Sequence, residues 1–195
     1  MRNLVSMVLI SFVFATGCAS TKVETTGSQL KEPLCRVGKQ AVSTLVYWGP
    51  QWRPDQKEPE LREAAALRGI QDFLNSAGCV AVAGIHRLSW AKQPPSNEEL
   101  LRLVAKSTPQ PERVLLIVVR ELGPQLIIGI PTILEGGTEV LIDVRVLNPQ
   151  TSELLADTKT LWRNGGKFVI KGVKTLDKDI SSALSSVLIH GTDVK

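Results

Sequence analysis

AVSTLVYWGPQWRPDQKEPELREAAALRGIQDFLNSAGCVAVAGIHRLSW, residues 41–90, decides the fold. Its first eight residues, Ala41 to Trp48, are apolar and β-branched enough for a buried strand, and Gly49-Pro50 stops it. A loop rich in proline and charge follows. Pro59 beside acidic residues then suits the first turn of a helix over 59–77. Leu67, Ile70, Phe73, Leu74 and Ala77 form its apolar stripe, and Gly78 fits the position just past its end. Residues 79–90 make the next strand. Strand, helix, strand predicts two parallel strands joined by a right-handed crossover.

Downstream, Ser96-Asn97-Glu98-Glu99 carries a capping box for a helix over about 97–107 that buries Leu100, Leu101 and Val104. Val114 to Val119 is apolar on both faces and reads as a central strand. Gly123-Pro124 separates it from the arm Leu126–Leu134, which Pro131 demotes to an edge strand or an irregular hairpin arm. Beyond Gly136-Gly137, Val140, Ile142, Val144 and Val146 alternate with Asp143 and Arg145, the pattern of a half-buried antiparallel strand. A turn at 148–152 leads to a last strand, which Gly165-Gly166 ends, and the final helix spans about 176–190 with Thr175 as its cap. The fold class expected is α/β (α+β). It has a mixed sheet of five to six strands, an initial βαβ unit, an antiparallel meander and a C-terminal helix.

Upstream lies MRNLVSMVLISFVFATGCAS, residues 1–20: a positive start at Arg2, an apolar run from Leu4 to Phe14, and small residues before Cys18. The run resembles the lipobox of bacterial lipoproteins. That resemblance implies cleavage after residue 17, acylation of Cys18 (palmitate among the chains), and, with Ala19 rather than Asp following, delivery to the outer membrane. The alternative is an ordinary secretory peptide with Cys18 incidental. The apolar run is too short to span a bilayer, so attachment is expected through lipid alone, and three acyl chains anchor firmly. Residues 18–34 are then the lipidated cysteine and a polar, flexible tether, and residues 35–191 a single domain facing the periplasm. Without residues 1–17 the chain carries 22 basic and 19 acidic residues, a balance that gives no argument for nucleic acid.

With Cys18 assigned to lipid, Cys35 and Cys79 remain as a pair. Parallel strands place both at one edge of the sheet, and an oxidising compartment favours a disulfide. Two buried free thiols are the alternative.

The hairpin from Glu139 to Trp162 resembles that of the curli secretion channel family and its relatives, the outer-membrane lipoprotein activators of penicillin-binding proteins and the amino-terminal domain of TolB. Residues 35–190 follow the element order of that group. The chain departs from it in having no long amphipathic barrel segments and no long disordered spacer. What the resemblance implies is a lipid-tethered adaptor domain.

Residue types suited to catalysis are sparse in the chain. His86 and His190 are the only histidines, the second in the last turn of a helix where it complements the macrodipole. His86 and Ser89 fall on opposite faces of a strand. No HExxH, Cys/His cluster, GxSxG elbow or phosphate loop is present, so neither enzyme activity, metal nor cofactor is expected. Two features suit binding. Trp48, Trp52 and Trp90 follow the two parallel strands and are expected at the sheet's carboxyl edge with Arg53 and Arg87, as a ligand site or as a cap on the core. Ile127, Ile128, Ile130 and Ile133 in the apolar arm are either a partner patch or packed sheet. The reading is a non-enzymatic outer-membrane lipoprotein, an accessory or assembly factor with an envelope protein partner. The alternative is a glycan- or small-ligand-binding lipoprotein that uses the tryptophan edge.

Overall fold

The computed structural model describes residues 19–34, 40–129, 133–167 and 169–189. Among them one six-stranded sheet is formed by β1 (Ser20–Ser28), β2 (Val42–Pro50), β3 (Val80–Arg87), β4 (Arg113–Gly129), β5 (Ile133–Asn148) and β6 (Glu153–Lys167). Their order across the sheet is β1-β6-β5-β4-β2-β3. Helices α1 (Pro59–Ser76), α2 (Asn97–Val104) and α3 (Leu176–Leu188) pack on it. The βαβ unit forms as its pattern predicts, with β2 parallel to β3 and also to β4, while β4, β5 and β6 are antiparallel neighbours. Gly78 ends α1 at φ +60°, and the capping box closes with Glu99 N–H on Ser96 Oγ at 3.2 Å and Ser96 N–H on Glu99 Oε2 at 2.7 Å.

The sheet divides two apolar layers. Val46 and Trp48 of β2, Leu115, Ile117 and Val119 of β4, and the alternating Val140, Ile142, Val144 and Val146 of β5 meet α1 and α3 on one face. Leu45, Tyr47, Val114, Leu116 and Val118 meet Leu100 and Val104 of α2 on the other. The first layer is continuous because two helices cover it. They approach closely at Gly69, where a Cβ would stand 2.2 Å from Ile180 Cγ2 and 2.3 Å from the Asp177 carbonyl oxygen. Any side chain at this position would push α1 off α3.

Several expectations are corrected. The tether expected over 18–34 is largely part of the body: Ser20–Ser28 is β1, antiparallel to β6, with Val23 opposite Trp162 and Thr25 Oγ1 3.0 Å from Thr160 Oγ1. Leu30 packs on the core, and Leu34 is buried with its N–H on the Leu188 carbonyl. The polar composition marks an edge strand wet on one side rather than a linker, and β-branched Thr21, Val23, Thr25 and Thr26 suit that state. Gly123-Pro124 does not separate two strands, because β4 runs through both residues. By then β4 has outrun β2, whose last pairing is Pro50 with Val119, so one side of its ladder is open and a residue without N–H is tolerated. Gly136-Gly137 likewise lies within β5, whereas β6 ends at Lys167, one residue past Gly165-Gly166 as expected.

Candidate functional site

The long strands set up the site. Leu122, Val140 and Trp162 form the last row of the core shared by β4, β5 and β6. Past that row β4 continues for seven residues, to Gly129, β5 extends back to Ile133, and β6 runs on to Lys167. At about 3.3 Å per residue the overhang reaches roughly 23 Å, as a ribbon that projects beyond the helices. Val169 passes over its helix-side face, since a Cβ at Gly136 would lie 2.1 Å from the Val169 carbonyl oxygen.

The opposite face of the ribbon is open. It holds a groove of about 510 Å³ lined by Lys22, Gln125, Ile127, Glu135 and Arg163 over a floor that includes Gly137 and Gly165. Gly137 pairs with Gly165 across β5 and β6, so the middle of the groove floor has no side chains. A Cβ at Gly165 would strike the Gly136 carbonyl oxygen at 2.2 Å, which shows how closely the two backbones approach. Arg163 Nε donates to Glu139 Oε2 at 2.7 Å on the groove wall. Further along the same face, Arg120 Nε donates to Asp143 Oδ2 at 2.6 Å. Arg145 donates to Asn97 Oδ1 at 2.7 Å and to the Pro95 carbonyl at 2.6 Å, which fastens the start of α2 to the sheet. Desolvation lowers the Arg145 pKa, opposed by the charges of Asp157 and Asp143. Burial raises that of the Tyr47 hydroxyl, whose ring lies 5.6 Å from that of His86.

The tryptophans do not gather into one site. Trp48 is 2% exposed within the helix-side core, and half-buried Trp52 packs on the same layer. Trp90 packs on the α2 side of the sheet, its ring against Gly49, whose Cβ would fall 2.5 Å from Trp90 Cη2. There Trp90 lines a shallow depression of about 400 Å³ with Leu88, Pro95, Arg102 and Leu103. The guanidinium groups of the expected edge are already paired. Arg53 Nε is 3.2 Å from Glu121 Oε2, and Arg87 bonds Glu63 at 2.8 Å and Ser89 Oγ at 2.7 Å. A sheet that alternates its side chains separates consecutive strand-end aromatics, which proximity along the chain conceals.

The apolar arm is the end of the β4–β5 hairpin. Leu126, Ile127 and Ile128 are 56%, 50% and 72% exposed. Ile130, the side chain of Ile133, Cys18, Cys35 and His190 lie outside the described residues. Cys79, ahead of β3, is disulfide-bonded, and its carbonyl accepts from Val42 N–H at 2.8 Å. Among the described residues no cluster of His, Cys, Asp and Glu is arranged to hold a metal ion, and no helix is long and apolar enough to cross a membrane.

No family model and no curated protein matches the chain. Solved structures to which it is similar include the PelC dodecamer from Paraburkholderia phytofirmans, at 13% identity over 87% of this chain and 99% of that one, with a TM-score of 0.47. The hypothetical protein CT253 from Chlamydia trachomatis is 14% identical over 64% of this chain and 73% of its own, with a TM-score of 0.45. Lipoprotein GNA1162 from Neisseria meningitidis is 13% identical over 74% and 96%, with a TM-score of 0.40. Bacterial lipoproteins are thus among the similar structures, without a specific match to the groups that the hairpin resembles. At these scores the likeness carries no argument about what the chain does.

Proposed function

We propose that the chain is a lipid-anchored, non-enzymatic adaptor of the bacterial envelope that seats a protein partner on the open face of its projecting ribbon. The observation that carries this reading is the overhang itself. Strands of 15 to 17 residues exceed the usual five or six, and the seven-residue extension of β4 adds almost nothing to the core. Folding alone gives no reason for a polar groove with a bare glycine floor at the end of a sheet, whereas a partner segment laid across Gly137 and Gly165 could approach the backbone closely. Lys22, Arg163 and Glu135 on its walls supply charges of both signs for register and selectivity rather than raw affinity. A second reading, a glycan or small polar ligand, rests on the same polar lining instead of the tryptophan edge.

A photoreactive amino acid at Gln125 in growing cells distinguishes the two. The adaptor reading expects one dominant higher-mass adduct with an envelope protein, identified by mass spectrometry, and none from the same group at Lys106 beyond α2. No adduct at Gln125, or the same diffuse ladder from both positions, contradicts a protein partner in the groove.

A further inference from the structure

The register of β1 places the start of the described chain at the hairpin end of the ribbon. Ser20 pairs with Gly165, Gly165 with Gly137, and Gly137 with Gln125, so the four stand in one row across the sheet. From Gln125 the chain runs three residues on to Ile128, about 10 Å at strand rise. From Ser20 back to Cys18 is two residues, at most about 7 Å. The described chain therefore begins at the same end of the sheet as Ile128, and Cys18 is within two residues of Ser20.

That end has the chemistry of a lipid-facing surface. Leu126 and Ile128 are exposed on one face of β4 and Ile127 on the other, and Ile170, next to the Val169 carbonyl that crosses Gly136, is 79% exposed. Lys167, paired with Glu135 at the end of β6, and Lys171 beside Ile170 lie near this apolar tip and outnumber Glu135, which suits a surface of anionic headgroups. An apolar tip with a cationic collar matches the interfacial pattern of acyl chains below and phosphates above.

We infer that the hairpin end of β4 is a second membrane contact: Leu126 and Ile128 enter the headgroup region of an anionic phospholipid surface at the end of the sheet from which the chain runs back to the acylated Cys18, and the ribbon stands upright on the bilayer. The inference rests on the lipoprotein reading of Cys18. It assigns Leu126 and Ile128 to lipid; Ile127, on the other face of β4, lines the tip-side end of the groove with Glu135, and the glycine floor at Gly137 and Gly165 is left to the partner. Two contacts at one end also fix which way the groove faces, which a lipid on a loose tether would leave free.

The test uses the full chain, isolated with its anchor and placed in vesicles of phosphatidylethanolamine and phosphatidylglycerol. An environment-sensitive fluorophore is attached at Ile128→Cys or, at the far end of the sheet, at Thr151→Cys; unchanged melting confirms the fold of each. Expected is a blue-shifted probe at 128 that doxyl-labelled lipids quench and that iodide reaches several-fold less well than the probe at 151. Equal iodide access at the two positions overturns the inference. So does a probe at 128 that is shielded from iodide yet untouched by doxyl lipids, which points to a second copy of the chain. The fatty-acid content of the same sample separates the two levels of the argument. Acylated protein with a water-exposed tip removes this inference alone, whereas an unacylated Cys18 removes the lipoprotein reading and the inference with it.

Discussion

Trp48→Ala is expected to lower stability by about 3–5 kcal/mol, the usual cost of emptying a site filled by a large aromatic side chain. For a domain of this length that corresponds to a fall in Tm of about 10 °C or more, read by circular dichroism. The indole is 2% exposed and lies in the core layer with Val46, Ile117 and the α1–α3 pair, so the cavity left behind has packed walls on every side and little freedom to collapse. Trp52→Ala should cost markedly less, because that indole is only half-buried on the rim of the same layer. A Trp48 variant that melted within about 2 °C of the parent would return this residue to the surface and revive an aromatic binding edge.

The second large effect concerns a residue that no sequence motif marks. Arg62, on the first turns of α1, is 8% exposed and reaches across to β4. Its Nε donates to the Lys57 carbonyl at 2.7 Å, and its Nη1 donates to Glu121 Oε1 at 3.2 Å and to the Leu122 carbonyl. The guanidinium passes where a side chain on Gly123 would stand, so Gly123 makes room for it. Glu121 also accepts from Gln56 at 3.1 Å and faces Arg53 Nε at 3.2 Å, which ties the loop between β2 and α1 to the foot of the ribbon. Arg62→Met keeps the aliphatic stem but leaves the Leu122 carbonyl without its guanidinium donor and the Glu121 carboxylate short of one cation. The expected loss is roughly 3 kcal/mol in urea unfolding, below the upper range for fully buried pairs because Arg53 and Gln56 remain. A cycle with Glu121→Gln should show coupling of at least about 1 kcal/mol; losses that add to within about 0.5 kcal/mol would place the two side chains in independent roles.

Arg62 shows where sequence reading stops. The stripe of Ile70, Phe73 and Leu74 gives the buried face of α1, and one charged residue near its start looks like solvated surface until the partner strand is known. The same limit separates the three tryptophans. Chain order brings Trp48, Trp52 and Trp90 to one end of two parallel strands, but which side of the sheet each indole takes depends on strand parity and on where each loop turns back. By contrast, the βαβ unit, the capping box at Ser96 and the alternation from Val140 to Val146 are local patterns, and each forms where its residues place it.

Glycine and composition misled in one consistent way. Gly123, Gly136 and Gly137 read as strand ends because isolated strands are weakened by them. In the sheet they sit within β4 and β5, where the Arg62 guanidinium, the Val169 carbonyl and the backbone of Asn164 and Gly165 occupy the space a Cβ would need. Residues 20–28 read as linker because they are polar, yet an edge strand wet on one side needs only every second residue to be apolar or β-branched. Joined together, these two errors hid the ribbon: two strands appeared to stop where they continue, and a third appeared not to exist.

The account depends most on the state of Cys18, because the compartment, the second membrane contact and the orientation of the groove all follow from lipid at that atom. Intact-mass analysis of the chain extracted from envelope membranes tests it directly. The account predicts a mature protein that begins at Cys18 and carries the added mass of three fatty-acyl chains, which a Cys18→Ser form lacks. A membrane-extracted chain that retains residues 1–17, or that begins near Cys18 with no acyl mass, would contradict it.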